Sequence, residues 1–236
     1  MLSYFSNSKS PLYSFLFTLP LFVVYEIGVF ISSIDQTIVI RNGADVLLRQ
    51  FFSYFGLNGF KWLGLIFLIS YLITFLIHKR KLQNTKLNLI YLPFMIFESI
   101  IWSMLIYLLM TNIHLFLMQP TGDMIIQRVT LAVGAGIYEE FLFRFVLILI
   151  FTKLIIFTFG MEYNYSRIIA MFISAGIFSG FHFLGDFGDF FSFNTFMIRF
   201  FAGILLGVIY FTRGFGITAW AHSIYDLIIL TKITVD

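Results

Sequence analysis

The chain has 236 residues, of which 60% are hydrophobic, 20% aromatic and only 11% charged, with a mean hydropathy of +0.94; an ordinary soluble domain carries about 25% charged residues. That balance excludes a soluble globular domain, and the absence of cysteine excludes disulfides, thiolate metal sites and a cysteine nucleophile. The net charge of +3 is scattered over short loops, so it gives no basis for nucleic-acid binding and reads as membrane topology.

Apolar runs long enough to cross about 30 Å of hydrocarbon recur along the chain, which predicts an all-α, polytopic transmembrane helical bundle. Spans are expected near 12–32, 61–77, 88–111, 127–157, 167–184, 194–212 and 215–231, seven in all, or eight if the long fourth segment is broken. No small-residue cleavage site follows the first run, so it is read as a retained span. After it, "RNGADVLLRQFF" at 41–52 repeats Arg41, Asp45 and Arg49 every four residues beside Val46, Leu47 and Phe51. This predicts an interfacial amphipathic helix, read as a solvated loop helix, with its polar face in water, ahead of a substrate-contacting role. "QPTGD" at 119–123 is the sharpest break. It divides the chain into N-terminal transmembrane helices, 1–120, and a second half, 121–236, that carries most of the chemistry.

Lys79, Arg80, Lys81 and Lys86 place the loop between the second and third spans in the cytoplasm. Counting spans from that loop puts the N-terminus, Lys153, Arg167 and Arg213 on the same side, while Arg41, Arg49 and Lys61 run against the trend. The Phe-rich, Cys-free composition points to a multi-pass protein of a prokaryotic plasma membrane.

Eight ionisable residues fall within the expected spans: Glu26, Glu98, Glu139, Glu140, Arg144, His182, His222 and Asp226. A charged side chain at the centre of a membrane helix costs about 2.5 to 3.5 kcal/mol on insertion scales, so each needs a partner. Glu140 and Arg144 stand four apart with the acid first, the favourable order for a pair on one helix face. Glu139 is rotated about 100° from Glu140 and needs a partner on another helix. His222 and Asp226 are also four apart, and an acceptor such as Asp226 can fix an imidazole's tautomer. Two glutamates, two histidines and an aspartate on three apolar helices can satisfy one another, which points to one shared polar site. Glu26 and Glu98 have no basic partner on their own helices; they are read as structural, facing the site or pairing with each other.

Spacing rules out three intramembrane protease chemistries. Neither His182 nor His222 sits in an HExxH pattern, "GDFGD" misses the Gly-x-Gly-Asp of aspartyl types, and "GIFSG" has one residue too many for a rhomboid serine motif. What remains is Glu-Glu-x-x-x-Arg, then Phe-x-x-x-His, then His-x-x-x-Asp, on successive late helices. With "EEFLFR" at 139–144, "FSGFH" at 178–182 and "HSIYD" at 222–226, the sequence resembles the CAAX-protease and bacteriocin-processing family (CPBP, or Abi), which includes the type II CAAX prenyl endopeptidases. The approach to the last motif, with Gly203 and Gly207, is similar too, and those glycines would permit close helix packing.

The resemblance implies an intramembrane glutamic endopeptidase with its catalytic core in 121–236, acting on a membrane-anchored protein or peptide in the bilayer. Glu139 would activate water with help from His182, His222 and Asp226 would stabilise the oxyanion, and Glu140 and Arg144 would support them. Many relatives carry Asn at the position of Asp226, so Asp226 either is protonated or orients His222. No cofactor is expected. The alternative is zinc, held by Glu139, His182, His222 and Asp226. Two rival functions are a non-catalytic scaffold or immunity protein that binds a partner through the same cluster, and a proton-relay transporter, for which no internal repeat is seen.

Overall fold

A backbone in hydrocarbon has to close its own hydrogen bonds, and this chain does so with helices. The computed structural model describes residues 2–34, 41–56, 88–110, 125–185 and 188–232, with residues 69 and 73, and no strand occurs among them. The expected span near 61–77, the basic loop from Lys79 to Lys86 and the break at 119–123 lie outside the described residues.

The described elements are α1 (Leu2–Ser8), α2 (Pro11–Ile34), α3 (Gly43–Ser53), α4 (Tyr91–Met110), α5 (Ile125–Gly134), a π-helix (Ala135–Leu147), α6 (Ile148–Phe159), α7 (Tyr163–Phe181), α8 (Phe193–Arg213) and α9 (Phe215–Lys232). Four stretches among the described residues are long and apolar enough to cross a membrane: Pro11–Ser33, Tyr91–Met110, Ile125–Phe159 and Phe193–Arg213. The protein is therefore an α-helical membrane protein. Helices α7 and α9 also form where spans were expected, but Asn164 and Arg167 in one, and His222 and Asp226 in the other, make them too polar to join those four. The long fourth segment is unbroken. It runs 35 residues from Ile125 to Phe159 and changes hydrogen-bond register at the π-helix instead of turning.

Helix α9 is central, packed against α2, α4, α5, the π-helix and α8. One core gathers Tyr25, Ala44, Ile137, Tyr138, Phe143 and Phe178 beneath α2, α3, the π-helix and α7. A second joins α2, α4, α8 and α9 through Phe17, Met95, Ile106, Leu206 and Ile217. Outward-facing positions stay apolar: Phe97 and Leu108 on α4 are 64% and 65% exposed, a face suited to lipid rather than water. In α2, Pro20 interrupts the helical ladder, and Trp220 Nε1 donates to the Phe17 carbonyl in the preceding turn (2.6 Å).

Two close approaches depend on missing side chains. Gly203 and Gly207 bring α8 onto α7 as expected; a Cβ at Gly207 would lie 2.6 Å from Met171 Cγ. At Gly136 a Cβ would lie 2.0 Å from Ser223 Oγ and 2.3 Å from the Ala219 carbonyl oxygen, so the π-helix and α9 meet backbone to backbone.

Candidate active site

Glu139 and Glu140 lie near the middle of the π-helix, and both are buried, at 6% and 0% exposure. Extended π geometry is rare and concentrates at functional sites. The wide turn is fastened from α7, where Ser174 Oγ donates to the Phe143 carbonyl. As helix geometry requires, the two carboxylates turn to different neighbours.

Glu139 Oε1 accepts a hydrogen bond from Asn42 Nδ2 at 2.8 Å. Its Oε2 is buried without a hydrogen-bond partner and lies 4.0 Å from His182 Nε2. His182 Nδ1 sits 2.9 Å from the Phe178 carbonyl oxygen. A carbonyl only accepts, so Nδ1 carries the proton and Nε2 of the neutral ring turns a lone pair toward Glu139. One carboxylate oxygen is thus anchored and the other is free, facing a basic nitrogen across a gap that one water can bridge.

Glu140 joins two of the expected groups. Its Oε2 forms an ion pair with Arg144 Nε at 3.1 Å, the pairing the four-residue spacing predicted, and its Oε1 lies 2.7 Å from His222 Nδ1. Asp226 Oδ2 is 3.6 Å from His222 Nε2, beyond hydrogen-bond range. The contact that fixes the imidazole, expected from Asp226, is made by Glu140. The Phe178 ring ties the groups together, with its centroid 4.9 Å from that of His182, 6.1 Å from that of His222 and 4.3 Å from the Arg144 guanidinium carbon.

Asn42 is the functional neighbour that sequence reasoning missed. Its Oδ1 caps α3 by accepting from the Ala44 amide at 2.9 Å, which leaves Nδ2 free to hold Glu139. Its own amide donates to the Tyr25 hydroxyl (3.2 Å), which in turn donates to Asp45 Oδ2 (2.8 Å). Asp45 is clamped by Arg41 at 2.9 Å and Arg49 at 2.6 Å. The amphipathic helix expected at 41–52 forms, but its solvated polar face is overturned, because Asp45 and Arg49 are 0% and 2% exposed. Their further partners, Tyr25 and Glu26, come from α2 and cannot be read from local periodicity. An Asn immediately before a helical pattern signals the cap and says nothing of the carboxylate.

The remaining acids stand apart from the site. Glu98 pairs with Arg213 and accepts from the Tyr4 hydroxyl at 2.7 Å. Glu26 lies 3.5 Å from Arg49 and accepts from the Tyr138 hydroxyl at 3.3 Å. Each has its own partners, so they do not pair with each other.

Among the described residues no three His, Asp or Glu side chains are grouped to hold a metal ion. Glu140 holds Nδ1 of His222 and the Phe178 carbonyl holds Nδ1 of His182. Glu139, His182, His222 and Asp226, the zinc set named as the alternative, are not grouped in this way as placed.

A family model described as type II CAAX prenyl endopeptidase Rce1-like matches residues 121–228. No curated protein and no solved structure matches the chain. The matched stretch contains "EEFLFR", "FSGFH" and "HSIYD", the motifs that carry Glu139, Glu140, Arg144, His182, His222 and Asp226. Over residues 121–228 the chain is therefore similar to the type II CAAX prenyl endopeptidase Rce1-like family, as the three motifs led one to expect.

Proposed function

We propose that this protein is an intramembrane endopeptidase of the glutamic type, hydrolysing a peptide bond near a membrane-anchored terminus of its substrate. The observation that carries this reading is the asymmetry of Glu139, with Oε1 tied to Asn42 and a buried, unpartnered Oε2 4.0 Å from His182 Nε2.

A water between these two atoms donates one hydrogen to each, and its oxygen lone pair points outward to a scissile carbonyl. Glu139 takes the proton as the water oxygen bonds to the carbonyl carbon. When the tetrahedral intermediate collapses, the C–N bond breaks and the proton passes from Glu139 to the leaving amine. General-base help of this kind contributes about 10² to 10⁴ in rate. The oxyanion needs a donor fixed in advance. With Glu140 accepting at Nδ1, His222 offers an Nε2–H only as the imidazolium, whose charge the flanking Glu140 and Asp226 balance. Arg144 keeps Glu140 in place.

The Rce1-like description supplies the reaction class. The Cys-free, Phe-rich chain favours an unprenylated bacterial substrate, either an exported, bacteriocin-like peptide or a protein with a C-terminal sorting signal. Mass spectrometry of membrane-protein termini in cells with native or Glu139→Gln protein tests the reading. Termini that disappear with the variant support it. Unchanged termini and unchanged biological function indicate a scaffold, and stoichiometric zinc whose removal stops cleavage overturns the glutamic mechanism.

A further inference from the structure

A second polar feature lies on the far side of Arg144 from the carboxylates. Arg144 uses Nε on Glu140, while both terminal nitrogens, buried in a side chain only 2% exposed, have no hydrogen-bond partner. Arg144 also borders a cavity of about 140 Å³ that is bounded by Thr152, Lys153, Tyr163, Arg167 and Tyr210. Thr152 Oγ1 is likewise buried and unpartnered. A buried polar atom without a partner costs about 1 to 3 kcal/mol, more if charged, so three such atoms on two residues that border one cavity point to a missing partner.

The lining identifies its chemistry. Three cations and no carboxylate border the space. Among the described residues neither Lys153 nor Arg167 has an acidic partner, and Arg167 lies over the rings of Phe211 (4.1 Å) and Tyr163 (5.4 Å). The volume equals the share of about five waters, enough for one compact anion to reach several of these donors. Arginine forks and a lysine point charge around such a space suit a phosphate group.

The rest of the wall is apolar: Phe145, Ile148, Leu149 and Phe211. Phe145 and Leu149 are 46% and 45% exposed on the outer, lipid-facing side. Lys9 donates to the Phe211 carbonyl and Arg213 to that of Phe5, so Lys9, Lys153, Arg167 and Arg213 gather at one end of the bundle. The positive-inside rule assigns that end to the cytoplasm, whose leaflet is rich in anionic lipid.

We infer that the cavity between α6, α7 and α8 binds the phosphate of an anionic phospholipid headgroup, with Arg144, Thr152, Lys153 and Arg167 as donors and with acyl chain lying along Phe145 and Leu149. The inference is independent of the proposed proteolysis. It adds a consequence: one guanidinium touches both the lipid phosphate and Glu140, so headgroup occupancy bears on the carboxylate that holds His222.

The test uses the full-length protein in nanodiscs of phosphatidylcholine into which phosphatidylglycerol is titrated, followed by thermal unfolding, with inorganic phosphate titrated separately. Phosphatidylglycerol is expected to raise the unfolding temperature saturably, and native mass spectrometry is expected to retain about one such lipid per chain. Lys153→Gln with Arg167→Gln should weaken the lipid effect at least about tenfold. Thr152→Leu, which fills the cavity without changing charge, should do the same, whereas general attraction to a charged surface would survive it. A saturable effect of inorganic phosphate with none from phosphatidylglycerol overturns the assignment to lipid. No effect of either, or variants that respond as the native protein does, overturns the site.

Discussion

His222 is held by Glu140 of the π-helix rather than by Asp226 on its own helix: its Nδ1 is 2.7 Å from Glu140 Oε1, while Asp226 stays 3.6 Å from Nε2. If Glu140 sets the ring, Asp226→Asn keeps cleavage within about tenfold of native, because no hydrogen bond is lost at that distance and only one of the two charges flanking the imidazolium is removed. Peptide cleavage by the purified variant checks this, and a loss of more than a hundredfold would return the orienting role to Asp226.

Glu139→Gln should abolish cleavage and leave the fold alone. The amide oxygen of Gln still accepts from Asn42 Nδ2, so the buried contact survives while the base is lost. The expected drop is about 10² to 10⁴ in rate with an unfolding temperature close to native. Full activity in this variant would remove Glu139 from the mechanism.

Glu140→Gln should behave differently, since it strands the buried guanidinium of Arg144. Breaking a buried pair from one side costs about 3 to 5 kcal/mol. Denaturation of the purified protein should show that loss, and the Glu140→Gln/Arg144→Met double variant should recover part of it. A single variant as stable as native would show that the pair does not carry this weight.

Asn42 separates positioning from stability. Asn42→Ser keeps a side-chain oxygen for the α3 cap but removes the donor to Glu139. A hydrogen bond to a charged group contributes about 1.5 to 3 kcal/mol, so the unfolding temperature should fall somewhat, while kcat falls about tenfold to a hundredfold and KM changes little. A fall in stability at unchanged kcat would make Asn42 a cap and nothing more.

Glu98→Gln offers the contrast. It weakens the Arg213 pair and the Tyr4 contact at one end of the bundle, far in sequence from the three motifs. Unfolding temperature should fall while cleavage per folded molecule stays native. Inactive but stable protein would tie Glu98 to the chemistry.

The late motifs were legible because each keeps its chemistry within one helical turn: Glu140 with Arg144, Phe178 with His182, His222 with Asp226. Spacing found the groups and the helices that carry them. It could not find how they interlock, since Glu140 meets His222 across 82 residues and Asn42 meets Glu139 across 97. The same limit explains the helix at 41–52, where the Arg41, Asp45, Arg49 period is that of a solvated face until Tyr25 of α2 closes over it. Hydropathy likewise marked the segment near 127–157 as long, but apolar residues fit α and π registers equally well, so the π-helix left no mark in the sequence.

The backbone contact at Gly136 gives the first motif a sensitivity of its own. Gly136 stands three residues before Glu139 and four before Glu140, and it faces Ala219 and Ser223, on either side of His222. A single methyl group there has to push against a carbonyl, which does not swing aside as a side chain can. The π-helix and α9 would part by the width of that methyl, and the 2.7 Å between Glu140 and His222 would open with them. Every acid and histidine would remain in place along the chain, yet the machinery would be out of gauge. Gly136 therefore serves as the spacer against which the distances of the candidate site are set.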